Sequence, residues 1–139
     1  MAQSSRHTAR EIALQSLYAA EIGEVDIWEN FDGLVKEAGL IDKHADFARE
    51  LIELVLKHSP DADTTITALA ENWKIERIAT IDRLILQMAL TELDLRPDIP
   101  VKVAINEAIE LSKTFSTEQS SAFINGILDR YRAQLEEKH

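Results

Sequence analysis

The 139 residues carry 25 Asp and Glu against 15 Lys and Arg, a formal charge of −10, and 45% of them are apolar. That apolar share suits one folded domain with a real core and excludes a disordered chain. No cysteine is present, which excludes disulfides and thiolate zinc sites and makes the cytoplasm the default compartment. The chain holds no apolar run long enough to span a membrane, and its first residues lack the compact apolar core of a signal peptide. Four Gly and three Pro leave room for few turns, which disfavours an all-β fold.

Seven helical segments are expected in chain order. The first runs from Ser5 or Thr8 to Ile22, with Thr8-x-x-Glu11 as a capping box and Gly23 as its stop. The second opens at Asp26, with Glu29 three residues on, and stops at Gly39. The third runs from Asp42 to His58 with Phe47, Leu51, Leu54 and Val55 at helical spacing, and Pro60 blocks its continuation. The fourth follows Asp61 or Asp63 and carries Ile66, Leu69, Ala70 and Trp73. The fifth begins after Thr80 and ends near Leu95, ahead of Arg96-Pro97. The sixth opens at Pro100, a good first helical residue, and runs to Phe115. The last follows "STEQS" and reaches about Leu135. The fold class is therefore all-α, a single domain over residues 1–139.

Two helices carry unusual patterns. The fifth, "IDRLILQMALTELDL", is apolar almost all round, the mark of a buried central helix. Arg83, Gln87 and Asp94 share a side of it that can be solvated, whereas Asp82 and Glu92 project among apolar positions. Asp82 complements the helix dipole in the first turn or meets a partner. The last helix contains Asn125-Gly126, a strong turn signal in isolation. Yet Phe123, Ile124, Ile127, Leu128, Tyr131 and Leu135 make one stripe at helical spacing, which a turn would destroy. Helix is expected, at a cost of about 1 kcal/mol for an interior Gly relative to Ala. Gly126 then falls with Ala122 and Ala133 on a second face of small residues, open to close approach by a neighbouring helix or by a partner.

The search for chemistry finds no catalytic set. His7, His44, His58 and His139 are scattered, with no metal-ligand spacing, no glycine-rich phosphate loop and no nucleophile motif. No cofactor or metal is expected, and the function reads as recognition. The charge layout is uneven. Residues 1–10 hold Arg6, His7 and Arg10 and no acid, whereas Glu21 to Glu37 hold six acids and one Lys. Arg6 and Arg10 share a helix face, where guanidinium planes can grip phosphate or stack on unpaired bases. On the sixth helix Lys102, Asn106 and Lys113 project together beside the stripe of Val101, Ala104, Ile105, Ala108, Leu111 and Phe115. They form a strip able to track a nucleic-acid backbone, or an ordinary polar flank on which Lys113 pairs with Glu110.

The stretch from Ile85 to Arg130, with its "INEAIEL" and "FINGILD" blocks, resembles the C-terminal half of the transcription antitermination factor NusB family. "AREIALQSLYAAE" near the N-terminus is similar to the opening of that family, while the stretch from Asp26 to Asp63 resembles it only weakly. The resemblance implies two small helical bundles and no catalysis. It implies binding of boxA-type single-stranded RNA of ribosomal RNA leader transcripts, jointly with the ribosomal protein NusE, within an RNA polymerase antitermination complex. RNA would meet Arg6, His7, Arg10 and Tyr18 on the first helix and Lys113 on the sixth. The protein partner would meet Asp82 and Phe123, with the small face at Gly126 nearby in sequence.

The chain departs from the family pattern at His7, Thr8, Gln87, Thr91, Ser116, Gln119, Ser120 and Ala122. Several of these losses are basic, so weaker RNA affinity alone and heavier reliance on NusE are expected. Two other readings stand beside this one: a protein-only helical scaffold that has lost RNA binding, and a targeting module like that of certain ribosomal RNA methyltransferases. No methyltransferase domain follows in these 139 residues, so that enzyme activity is not expected here. A monomer and a homodimer are both compatible with the sequence.

Overall fold

The computed structural model describes residues 5–23, 25–71 and 74–137, and the expectation for Trp73 lies outside them. The described residues form six α-helices: α1 Arg6–Gly23, α2 Ile27–Ala38, α3 Asp42–Leu69, α4 Thr80–Leu95, α5 Val101–Phe115 and α6 Glu118–Glu137. A single 3₁₀ turn, Ile75–Arg77, precedes α4. The chain divides into two compact units, residues 1–56 and 57–139, and α3 contributes its first half to one and its second half to the other.

The count is six helices rather than seven because Pro60 does not stop α3. Proline removes one backbone donor and crowds the carbonyl four residues back, here that of Leu56. Pro60 is exposed and Leu56 half exposed, so the proline ring lies on the solvent side of α3. The Thr64, Thr65 and Thr67 hydroxyls donate to the carbonyls of Pro60, Asp61 and Asp63. Ala62, Ile66 and Leu69 are all buried, so one continuous rod keeps its apolar stripe where a break would have exposed it.

The helix ends follow local chemistry. Asp26 caps α2 by accepting from the Glu29 amide at 2.9 Å, and Gly39 closes it in the left-handed region at φ 64°. At α1 the cap is Ser5, not Thr8: the Thr8 amide donates to Ser5 Oγ at 3.4 Å, which starts the helix at Arg6. At α6 the helix begins inside "STEQS", because Thr117 Oγ1 accepts from the Ser120 amide at 3.1 Å.

In the first unit α1 pairs with α2, and Ile12, Leu14, Leu17, Phe31, Leu51 and Ile52 are buried. Arg49 of α3 lies over the rings of Trp28 and Phe31 and pairs with Asp32 at 3.1 Å, which ties α3 to α2. In the second unit α4, α5 and α6 pack on one another, with α4 buried along most of its length, as its pattern demands. The side of α4 expected to be solvated is mixed: Asp94 is exposed, Arg83 half-buried and Gln87 buried. Gln87 is buried and donates to Asp63 of α3 at 2.7 Å. Asp94 accepts from Tyr131 of α6 and lies 2.8 Å from His58 Nε2 of α3. Burial first, then the bond to Asp94 and its charge, push the Tyr131 hydroxyl far above the ordinary phenol range.

Candidate nucleic-acid interface and partner-facing pocket

The start of α1 brings two guanidinium groups to one aromatic ring. Arg6 and Arg10, four residues apart, share a helix face, and the Phe47 ring of α3 lies under both. The Arg6 Cζ stands 4.6 Å from the ring centroid and the Arg10 Cζ 5.1 Å. These are cation–π distances. The two arginines are not equivalent, however. Arg6 is exposed, whereas Arg10 is 3% exposed, so Arg10 is packed into the fold rather than presented beside Arg6 as the helical wheel suggests. His7 Nε2 faces Glu11 Oε2 at 3.5 Å, an i,i+4 contact that is ionic only when the imidazole is protonated. Tyr18 is half-buried three turns further along α1.

Lys102, Asn106 and Lys113 are all exposed on α5 in the second unit. Lys113 Nζ lies 3.3 Å from Glu110 Oε2, so the local pairing weighed in the sequence is made, and both partners are open to water. The apolar side of α5 is narrower than its wheel suggests: Ala104, Ile105, Ala108 and Leu111 are buried, but Val101 is 38% exposed.

Asp82 and Phe123 line one pocket of 270 Å³, together with Arg77, Ile78, Ala79, Thr117, Gln119 and Ser120. Asp82 is buried, and each carboxylate oxygen accepts from a serine hydroxyl: Ser116 Oγ at 2.8 Å and Ser120 Oγ at 2.7 Å. Asp82 therefore both occupies the first turn of α4 and ties that turn to the α5–α6 junction. Ile78, Ala79 and Phe123 supply the apolar part of the lining, and Arg77, Asp82 and hydroxyl and amide groups the polar part. Such a mixture suits a protein segment better than a compact charged ligand.

Asn125-Gly126 is helical, with Ile124, Ile127 and Leu128 buried and Phe123 and Tyr131 half-buried. A Cβ built on Gly126 meets no heavy atom within 4 Å. Among the described residues, no neighbouring helix uses the small face of Ala122, Gly126 and Ala133.

Sequence reasoning missed four contributors. Phe47 was visible only as a core position of α3, and nothing local foretells that α1 arginines would rest on it. Ser116 and Ser120 carried no signal beyond their place next to a helix start. Arg77 belongs to a 3₁₀ turn that no periodicity announces.

The NusB family model matches residues 7–133 of this sequence. The chain belongs to the NusB family. It is 44% identical over 135 aligned residues to the transcription antitermination protein NusB of Myxococcus xanthus (strain DK1622), covering 94% of this chain and 96% of that protein. It is 43% identical over 143 aligned residues to the protein of the same name from Geotalea daltonii, covering 97% and 99% of the two. Among solved structures, T. maritima NusB matches with a TM-score of 0.82 at 32% identity, over 91% of this chain and 89% of that one. A complex of the antitermination factors NusB and NusE with dsRNA matches with a TM-score of 0.80 at 22% identity, over 96% and 99% of the two chains. That likeness shows a common all-α fold.

Two departures from the NusB pattern acquire a physical sense within this family fold. Ser116 donates to the buried Asp82. Gln87 fits a covered position by bonding Asp63. Thr91 is fully buried and its hydroxyl has no hydrogen-bond partner among the described residues.

Proposed function

We propose that this protein is an antitermination factor that binds boxA-type single-stranded RNA of ribosomal RNA leader transcripts together with NusE, promoting processive transcription within an RNA polymerase complex. It acts by recognition, not catalysis, without a cofactor, in the cytoplasm, with residues 1–139 working as one NusB-like domain. The observation that carries the reading is family membership across residues 7–133. It is supported by the fold shared with a NusB that sits in a complex with NusE and dsRNA. No described helix is long and apolar enough to cross a membrane.

In this reading the exposed Arg6, with His7 and Tyr18 on the same helix, meets RNA, and Lys102, Asn106 and Lys113 track its backbone. Arg10, buried on the same Phe47 ring, adds positive charge to that end of α1. The pocket walled by Asp82 and Phe123, with the open face at Gly126, receives the protein partner.

A second reading, a protein-only scaffold of the NusB type, draws on the thinned basic set. Arg10 is buried, His7 faces Glu11, and Lys113 pairs with Glu110. One measurement separates the two: boxA RNA binding with and without NusE in physiological salt, for the native chain and for Arg6→Ala. Binding that needs NusE and weakens in Arg6→Ala is the expected result. Absence of binding in both conditions leaves the scaffold, and submicromolar binding without NusE would remove the proposed reliance on that partner.

A further inference from the structure

We infer that Phe47 is a positioning residue for RNA recognition: its ring holds the Arg6 guanidinium in place, with Arg10 as the second, buried cation on the same ring. The inference rests on the RNA reading of α1. Three observations converge. The Arg6 and Arg10 Cζ atoms lie 4.6 and 5.1 Å from one ring centroid, so a single aromatic side chain sets both. Phe47 is itself 7% exposed, so it offers nucleic acid almost no surface and acts through what rests on it. Arg6 is exposed and, among the described residues, has no ion-pair partner, so its charge is not cancelled by a neighbouring acid.

The physical logic is preorganisation. An arginine at a helix start has many rotamers, and binding a phosphate or stacking on a base must freeze them. A guanidinium resting on a ring has given up much of that freedom before RNA arrives. The ring attracts the cation through its quadrupole without supplying a counter-charge, so the guanidinium N–H groups stay free to donate. A carboxylate in the same place would hold the arginine equally well and neutralise it. In a chain with a formal charge of −10, holding a cation without cancelling it is the scarcer arrangement.

The test is a double-mutant cycle on boxA RNA binding in the presence of NusE. Phe47→Leu keeps an apolar side chain in the core and removes the ring. Phe47→Tyr keeps the ring. Phe47→Leu should weaken RNA binding about two- to fivefold, the range of an exposed cation–π contact. The same change should do nothing further in an Arg6→Ala background, and Phe47→Tyr should stay close to the native chain. NusE binding without RNA should not move in any of them. A readout independent of RNA comes from NMR of the native protein: the arginine side-chain protons of Arg6 and Arg10 should show upfield ring-current shifts.

Equal weakening by Leu and Tyr, an undiminished effect of Phe47→Leu in Arg6→Ala, or native Arg6 resonances at random-coil positions would each overturn the positioning role. The last of these applies even where Phe47→Leu folds poorly. Failure of the parent reading looks different: Arg6→Ala then leaves RNA binding unchanged, and the role of Phe47 falls with it. If Arg6→Ala weakens binding but Phe47→Leu does not, only the positioning role is lost.

Discussion

Replacing Gly126 with Ala should make the protein more stable. Gly126 lies inside the 20-residue helix α6, where Gly costs about 0.8–1.0 kcal/mol relative to Ala because the unfolded chain loses more freedom. That gain is realised only where the new methyl group has room. A Cβ at Gly126 meets nothing within 4 Å, so there is no clash to subtract and no packing gain to add. The net effect is therefore the propensity difference alone, about 1 kcal/mol. For a chain of this size the thermal midpoint should rise by roughly 3–4 °C. In urea the midpoint should rise by roughly 0.5 M at an unchanged slope. Thermal melts followed by circular dichroism and a urea titration read this directly. A fall in stability would refute the reasoning, since it would mean that the small face is filled within the folded chain. A bulkier Gly126→Leu extends the test to function. It should remain folded yet weaken NusE binding if that partner approaches the face closely, and intact binding would remove Gly126 from the partner surface.

Three other outcomes follow from the second unit. Ser116→Ala and Ser120→Ala should each cost about 1–3 kcal/mol in urea unfolding, because each leaves the buried Asp82 carboxylate without one of its two donors. Thr91→Val should raise stability by about 1 kcal/mol in the same assay, because the change removes a buried hydroxyl that has no partner among the described residues. The hydroxyl of Tyr131 is held neutral in the folded state to a higher pH than in the unfolded chain. Its contribution is therefore complete below the ordinary phenol value of 10.0 and is lost as pH rises beyond it. The urea midpoint of the native chain should fall from pH 10 upward, while that of Tyr131→Phe, lower at neutral pH, should stay flatter over the same range. Parallel curves would show that the bond to Asp94 does not govern that titration.

Much of this molecule is written in local sequence. The all-α class follows from helical periodicity and the scarcity of Gly and Pro. The caps at Asp26 and Gly39 follow from side-chain and backbone chemistry within a few residues, and so does the helical state of Asn125-Gly126, where a six-residue apolar stripe outweighs a two-residue turn signal. The NusB pattern in the last third is likewise a property of the chain itself. What needed tertiary structure were the facts that depend on residues far apart in sequence. Pro60 was expected to end a helix, but its ring lies on an exposed side and the buried stripe beyond it keeps α3 continuous. Gln87 is expected on a solvated side, but it is buried against Asp63 of α3, while Asp94 on that side stays exposed. Asp82 finds its serines 34 and 38 residues away. Arg6 and Arg10 look equivalent on a helical wheel, since local spacing reports only which face a side chain leaves from. Burial and the ring of Phe47, set by a helix that begins 36 residues after Arg6, make one of them a surface cation and the other a buried one.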